Sequence, residues 1–325
     1  MKLLVLIAVS ICLLLFAAYG IRYLRRIARL ARATHETVYN LRMLGFYEKP
    51  IVREHLAALG EPTSTQNGRP ARASYGLSST VDRIAPKLTK RGDGRTVICT
   101  VAVGDQYRRG VEPCLTSQRD FAANQGLDFC ILEDPPAHSK RAPSWLKIPL
   151  VIWLLSKGYQ RILFVDADAM VTNPRISIEP FFARLEAEQR PILVTEDEEA
   201  INFGVFWTVN SDAAVRLLDL IWLNDSDVHH PLLEQQSLKL LMAGSSAVHS
   251  IVAIEPNPKL FNSFPAERQR VHIARTDQIW SPGDFICHFA GMGGDYRSRC
   301  INEYAEALKR QSVPSSVVNR LQEQG

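Results

Sequence analysis

Two aspartates, Asp166 and Asp168, follow directly on the apolar run Ile162 to Val165, and no other stretch concentrates chemistry so clearly. The segment ILFVDADAMVTNP (162–174) reads as a buried strand running into a loop, which Asn173-Pro174 closes with turn chemistry. In extended backbone, side chains two apart point the same way, so both carboxylates can address one point in space. On a helix the same spacing would splay them. Open α/β sheets bind ligands at the carboxyl ends of their strands. Two hard oxygen anions at such a place suit Mg²⁺ or Mn²⁺, which favour carboxylate and phosphate oxygens. A lone Asp-x-Asp is also common as a solvated turn, so its surroundings must decide.

Those surroundings are an α/β body. TVICTVAVG (96–104) is β-branched and apolar, as a central parallel strand requires, and runs into Asp105-Gln106-Tyr107. The pattern predicts a helix over 114–125 closed by Gly126, then a strand LDFCIL (127–132). WLKIPLVIWLLSKGYQ (145–160) has helical apolar spacing, with Pro149 in its first turns and Gly158 as a C-cap signal. The strand to Asp166 comes next. Strand, helix, strand, helix, strand predicts a parallel sheet with right-handed crossovers. Beyond it lie strand-like PILVT (191–195), the acidic run Glu196 to Glu199, and an apolar strand in INFGVFWTVN (201–210). Helices are expected over 211–222, where Ser211 is an N-cap signal, and over 232–242. In DFICHFAGMGGDYR (284–297) a short strand reaches His288 and then a glycine-rich turn.

The amino-terminal part has a different character. Leu3 to Ile21 is an almost unbroken apolar run, just sufficient against the roughly 20 residues a membrane-spanning helix needs. Its alternative is a cleaved secretory signal, with Lys2 as the basic end and Phe16-Ala17-Ala18 near the cleavage point. Arg22, Arg25, Arg26, Arg29 and Arg32 follow, which resembles an anchor flank beside anionic lipid and is a poor start for a translocated chain. The more basic flank tends to stay cytoplasmic, which places the body in the cytosol as in an inner-membrane enzyme. The sequon Asn224-Asp225-Ser226 points to the alternative, a Golgi-lumenal type II body. Expected boundaries are an anchor over 1–21, a helical membrane-proximal stalk over 22–59, a flexible linker over 60–94, the catalytic body over 95–312 and a tail over 313–325.

The net charge of +4 on 325 residues is small and lies mostly in that arginine cluster, which argues against a nucleic-acid partner. The six cysteines (Cys12, Cys99, Cys114, Cys130, Cys287, Cys300) show no Cys-x-x-Cys spacing, so neither a structural zinc site nor a disulfide framework is expected.

Six short elements then fall in a recognisable order: Gly104-Asp105-Gln106-Tyr107, Trp145-x-Lys147, Asp166-Ala167-Asp168-Ala169, Asn202-Phe203-Gly204, Glu234-Gln235-Gln236 and His288-Phe289-Ala290-Gly291. In this the chain resembles the nucleotide-sugar glycosyltransferases of GT-A fold, and most closely glycosyltransferase family 34, the galactosyl-, xylosyl- and mannosyltransferase group. The resemblance covers about residues 95–300. It implies a Rossmann-like, mostly parallel sheet flanked by helices, an Mn²⁺ (or Mg²⁺) cofactor, a UDP- or GDP-sugar donor, a glycan or lipid-linked acceptor and retention of anomeric configuration. It also implies metal ligation by Asp166, Asp168 and His288. Donor contacts are expected from Asp105, Tyr107, Lys147, Asp166, Ala167, Asp168, Gly291 and Arg297. Asn202, Glu234 and Gln235 are expected at the transferred sugar.

The chemistry of these residue types is compatible. A metal bridging the phosphates neutralises charge that develops as a sugar–phosphate bond breaks, and imidazole beside carboxylates suits Mn²⁺ better than Mg²⁺. Tyr107 is either a stacking platform for the base or a surface tyrosine, and Lys147 either a phosphate contact or a solvated helix residue. Amides such as Asn202 and Gln235 both donate and accept, as sugar hydroxyls require. Two departures stand out. The family's lysine after His-Phe-x-Gly is missing from Met292-Gly293-Gly294-Asp295-Tyr296-Arg297, where Arg297 or a backbone nest could replace it. Glu234 stands where the family often has aspartate. A haloacid-dehalogenase-type phosphatase also places Asp-x-Asp after a strand, but its pattern wants Thr or Val where this chain has Met170. A non-catalytic glycan-binding module on a transferase fold is the other rival.

Overall fold

The computed structural model describes residues 42–43, 45–60, 78–136, 141–197, 201–225, 228–270 and 276–310. The expected anchor, most of the stalk, the linker residues 61–77 and the tail lie outside them. Among the described residues no helix is long and apolar enough to cross a membrane. The chain divides between Arg53 and Glu54 into two compact units. The described part of the first is helical at 42–43 and 45–47, and helix α1 (Pro50–Gly60) begins within it.

The second unit is an α/β body on a seven-stranded sheet. A one-turn helix α2 (Ser78–Val81) precedes strands β1 (Lys87–Thr89), β2 (Thr96–Val101), β3 (Asp128–Leu132) and β4 (Arg161–Val165). A short β5 (Ala169–Val171) lies outside the large sheet, and β6 (Ile192–Thr195), β7 (Asn202–Val209) and β8 (Val252–Glu255) complete it in the order β1-β3-β2-β4-β7-β6-β8. The expected parallel core is present, since β2 pairs parallel with both β3 and β4, and β6 with β8. The sheet is nevertheless mixed. β1 is antiparallel to β3, and β7 is antiparallel to both its neighbours. The connection from β6 to β7 is too short for a crossover helix, so β7 must return as a hairpin partner. β1 falls inside the stretch expected to be linker, so the sheet starts before Arg95.

Helix α3 spans Asp105–Asn124, nine residues earlier than the predicted start, and carries Pro113 in its interior. A proline there costs about 3 kcal/mol or more. Burial of Val111, Cys114, Leu115, Gln118, Phe121 and Ala122 against the sheet offsets it. A 3₁₀ turn (Pro143–Leu146) leads into α4 (Lys147–Ser156), which is buried except at Trp153 and Ser156. The remaining helices are α5 (Glu179–Glu188), α6 (Asp212–Leu223), α7 (Leu233–Gly244), α8 (Ser246–Ile251) and α9 (Gly294–Lys309). As expected, Ser211 caps α6, its hydroxyl accepting from Ala214 N. α3 packs on α9, and Gly110 permits the approach: a Cβ there would lie 2.5 Å from Ser298 Oγ.

Strand ends are pinned by buried polar groups. The Asp128 carboxylate accepts from the Arg91 and Gly92 amides at 2.6 and 2.8 Å and from Tyr159 Oη at 2.7 Å. Burial pushes its carboxyl up, but these bonds outweigh burial and hold it below the ordinary carboxylate range. Cys99, Cys114, Cys130, Cys287 and Cys300 are buried free thiols. Asn224 of the sequon is fully buried at the end of α6, so the folded chain leaves no room for a glycan on it.

Candidate active site

β4 ends at Val165, and the chain then turns rather than continuing as a strand. Asp166 N donates to Gly204 O on β7 at 2.7 Å, and Ala169 N donates back to Asp166 O at 2.9 Å. The Gln118 amide of α3 holds the turn from below, donating to Asp166 O at 3.0 Å and Ala169 O at 2.8 Å. The two aspartates are therefore brought together by a turn, not by the alternation of extended backbone. β5 follows at once and pairs antiparallel with β9 (Ile286–His288), which sets Ala169 opposite His288. Phe289 N donates to Asp168 O at 3.0 Å. This two-stranded ribbon is what carries His288 to the Asp-x-Asp turn.

Asp166, Asp168 and His288 offer ligand atoms that all lie within 4.8 Å of one another. His288 Nε2 is 3.8 Å from Asp166 Oδ2 and 3.5 Å from Asp168 Oδ1. Asp166 is partly exposed, whereas Asp168 and His288 are buried. Burial raises the Asp166 carboxyl to about 6 against the pull of Lys147 and His288, with Asp168 and Glu234 adding to the rise. Asp168 is held down to about 2: burial works against this, but the hydrogen bond and charge of His288 and the Arg297 guanidinium outweigh it. Gly204 forms the wall. A Cβ at this position would meet His288 Cε1 at 2.2 Å and Asp166 Oδ2 at 2.6 Å.

Lys147 is 2% exposed, and its surroundings differ from both sequence expectations. Its ammonium lies 3.1 Å from Asp166 Oδ1 and 2.8 Å from Glu234 Oε1, and donates to Phe203 O at 3.0 Å. An ammonium has three N–H donors, and three acceptors engage them, so Lys147 orients Asp166 and Glu234 instead of reaching a phosphate. These two carboxylates hold it charged against the burial that opposes charge. Glu234 is itself buried, and its Oε2 has no hydrogen-bond partner.

On the other side, Arg297 in the first turns of α9 donates to Asp168 Oδ2 at 3.0 Å, and its guanidinium lies 4.9 Å from the Tyr107 ring centre. Tyr107 is half-buried beneath this arginine, its hydroxyl pushed up by burial and by Asp168 and Asp166. Asp105 is exposed at the start of α3 and pairs with Arg108. Ala167 is buried, and Gly291 is exposed with φ 72°. Gln235 Oε1 accepts from Phe203 N at 3.0 Å. Asn202 is 4% exposed, and both ends of its amide are engaged within the protein, which leaves it a scaffold rather than an open sugar contact.

Sequence reasoning passed over Asn262. Its Oδ1 lies 2.9 Å from His288 Nδ1, and its Nδ2 donates to Thr195 Oγ1 and Asn202 Oδ1, each at 2.9 Å. The signal was the polar pair Asn262-Ser263 enclosed by Phe261 and Phe264, all four fully buried.

Comparison with known proteins agrees with this picture. Residues 181–300 match the model of the galactosyl transferase GMA12/MNN10 family. The matched part includes Asn202, Glu234, Asn262, His288 and Arg297, while the Asp166-Ala167-Asp168 turn precedes it. The chain is similar to two probable alpha-1,2-galactosyltransferases of Schizosaccharomyces pombe (strain 972 / ATCC 24843). For gmh2 the identity is 26% over 219 residues, 55% of this chain and 60% of that protein. For gmh1 it is 24% over 226 residues, 58% and 65%. The chain thus spans somewhat under two thirds of the length of these relatives. A solved glycosyltransferase involved in the glycosylation of the major capsid of PBCV-1 superposes with a TM-score of 0.50, at 15% identity over 64% of this chain and 98% of that one. The body therefore has a glycosyltransferase fold of GT-A-like kind, and the resemblance to glycosyltransferase family 34 holds.

Proposed function

We propose that this protein is a metal-dependent glycosyltransferase that moves a sugar from a nucleoside-diphosphate sugar to an acceptor hydroxyl on a glycan or lipid-linked glycan. Galactose is the first donor sugar to try, because both named relatives are probable alpha-1,2-galactosyltransferases. The observation that carries the reading is the convergence of Asp166, Asp168 and His288 from the end of β4 and from β9. Two carboxylates and an imidazole are a donor set that fits Mn²⁺. Bound there, the ion would supply a counter-charge to the diphosphate leaving group.

The protein's own groups supply orientation. Lys147 holds Asp166 and Glu234 in place from behind. Arg297 lies beside Asp168 on the first turn of α9, where its guanidinium and the positive end of the helix favour a diphosphate. This supports Arg297 in the role of the family's missing lysine. Gln235, bonded to the Phe203 amide at the start of β7, and Glu234, bonded to Lys147, are the residues proposed to position the sugar. The family resemblance adds retention of configuration, read from the anomeric proton of the product.

Because Asp168 and His288 are buried, near-isosteric variants make the cleaner test. Asp168→Asn and His288→Gln are each expected to lower transfer at least ~100-fold, consistent with the several kcal/mol a metal supplies to transition-state charge. Both should lose Mn²⁺-dependent UDP or GDP affinity in calorimetry while keeping the wild-type circular dichroism spectrum. A phosphatase using Asp166 as nucleophile would be indifferent to His288, so unchanged turnover in His288→Gln would sink the transferase reading.

Membrane anchorage by residues 1–21, with the body most simply on the cytoplasmic side, completes the proposal. The apolar run and the arginines after it support this. The full chain should stay with membranes through alkaline washes and be released only by detergent, and release by alkali alone would refute the anchor.

A further inference from the structure

We propose that Asn262 is a positioning residue that decides which nitrogen of His288 carries the proton, leaving Nε2 bare toward Asp166 and Asp168; this deepens, and rests on, the metal-site reading above. Asn262 is placed by backbone alone. The next residue, Ser263, pairs on both sides with β9: its N–H donates to Ile286 O at 3.1 Å, and its carbonyl accepts from His288 N at 2.7 Å. The Asn262 side chain is thereby fixed against the His288 ring, fully buried.

The direction of the hydrogen bonds can be read from the far end. The Asn202 amide lies between the backbone N–H of Gly204, which can only donate, and the carboxylate of Asp197. Asn202 must therefore turn Nδ2 toward it, at 3.0 Å. That orients Asn202 Oδ1 the other way, where it receives the backbone N–H of Gly204 at 2.9 Å, a group that can only donate. The same oxygen receives Asn262 Nδ2 at 2.9 Å, and Nδ2 also donates to Thr195 Oγ1 at 2.9 Å. Asn262 cannot flip without setting two oxygens against each other. Its Oδ1 thus faces His288 Nδ1 at 2.9 Å as an acceptor, and Nδ1 must hold the proton. The remaining ring nitrogen lies 3.5 and 3.8 Å from carboxylate oxygens. In the neutral ring the Nε2 lone pair is repelled by the two carboxylates until a cation sits between them, either a proton shared with Asp168 or a metal that takes the proton's place.

The test reads the ring itself. In protein labelled with ¹⁵N-histidine and free of metal, the neutral His288 ring of the wild type should show the Nδ1–H tautomer by two-bond ¹H–¹⁵N correlation. Asn262→Leu removes the acceptor, and His288 should move to the Nε2–H form, which can donate to Asp168. Mn²⁺ affinity, followed by electron paramagnetic resonance, should then fall ~10–100-fold, the usual effect of losing such a supporting partner. Asn262→Asp keeps an acceptor for Nδ1–H and should keep the wild-type tautomer even where its stability drops. An Nε2–H ring in the wild type overturns the proposal without any variant. So does an Asn262→Leu protein that retains Nδ1–H and binds Mn²⁺ within about threefold of wild type, against the tenfold or more expected. If the wild type shows Nδ1–H and Asn262→Leu shifts it, yet neither binds Mn²⁺, the tautomer control stands and the metal reading falls.

Discussion

Lys147→Met should unfold this protein more readily than any other single change discussed here. Lys147 sits 2% exposed between Asp166 and Glu234, with a third acceptor in the Phe203 carbonyl. Methionine fills the volume but leaves two carboxylates in one another's neighbourhood without a cation. Breaking a buried ion pair by removing one partner typically costs about 3–5 kcal/mol, because the remaining charge is stranded. For a body of this size that lowers the melting midpoint by on the order of 10 °C. Glu234→Gln in the same chain should recover part of the loss, since Glu234 is then neutral and only Asp166 stays charged. Thermal unfolding of the single and double variants measures this directly. A Lys147→Met midpoint within about 2 °C of wild type would mean less than about 1 kcal/mol and would remove Lys147 from its bridging role.

Gly204→Ala should abolish function more completely than it harms the fold. The added methyl would lie 2.2 Å from His288 Cε1 and 2.6 Å from Asp166 Oδ2, in the space between the groups proposed to hold the metal. His288 cannot step aside freely, because its Nδ1 is tied to Asn262 and its backbone to Ser263. Overpacking of this kind costs about 1–3 kcal/mol, which a body with so large an apolar core should survive. The site should not. A misplacement of about 1 Å can cost ~100-fold in rate, so transfer should fall by at least that and Mn²⁺ binding should weaken with it. Gly60→Ala at the end of α1, where a Cβ meets nothing within 4 Å, is the control and should stay near wild type in both measures. Near-normal activity in Gly204→Ala would place the reacting centre elsewhere.

The strands that pair locally and the helices with strong periodicity could be read before folding was considered. TVICTV, DFCIL and RILFV are apolar and β-branched enough to be buried strands in any context, and Ser211 marks a helix start by its own hydrogen-bonding chemistry. The start of α3 was hidden by Pro113, because local propensity ends a helix there while burial of Val111 and Cys114 carries it through. β1 was hidden by its polarity. Lys87 and Thr89 are exposed on an edge strand, where only Leu88 faces inward at all, so no apolar run betrays it.

For the site, the residue types and their spacing marked Asp166 and Asp168 as a possible metal pair, and the resemblance to glycosyltransferase family 34 added His288 to it. What the sequence could not assign was the duty of groups whose partners are remote. Lys147 has the same chemistry whether it meets a phosphate or, as here, Asp166 and Glu234, and the choice depends on α7 lying beside α4. Asn202 and Asn262 are ordinary amides until β7 and the segment before β9 bring them into one chain of hydrogen bonds ending at His288. Composition and spacing determine which groups are available. The path of the backbone decides which of them are already satisfied by the protein, and an amide or ammonium that is satisfied internally is no longer free for a ligand.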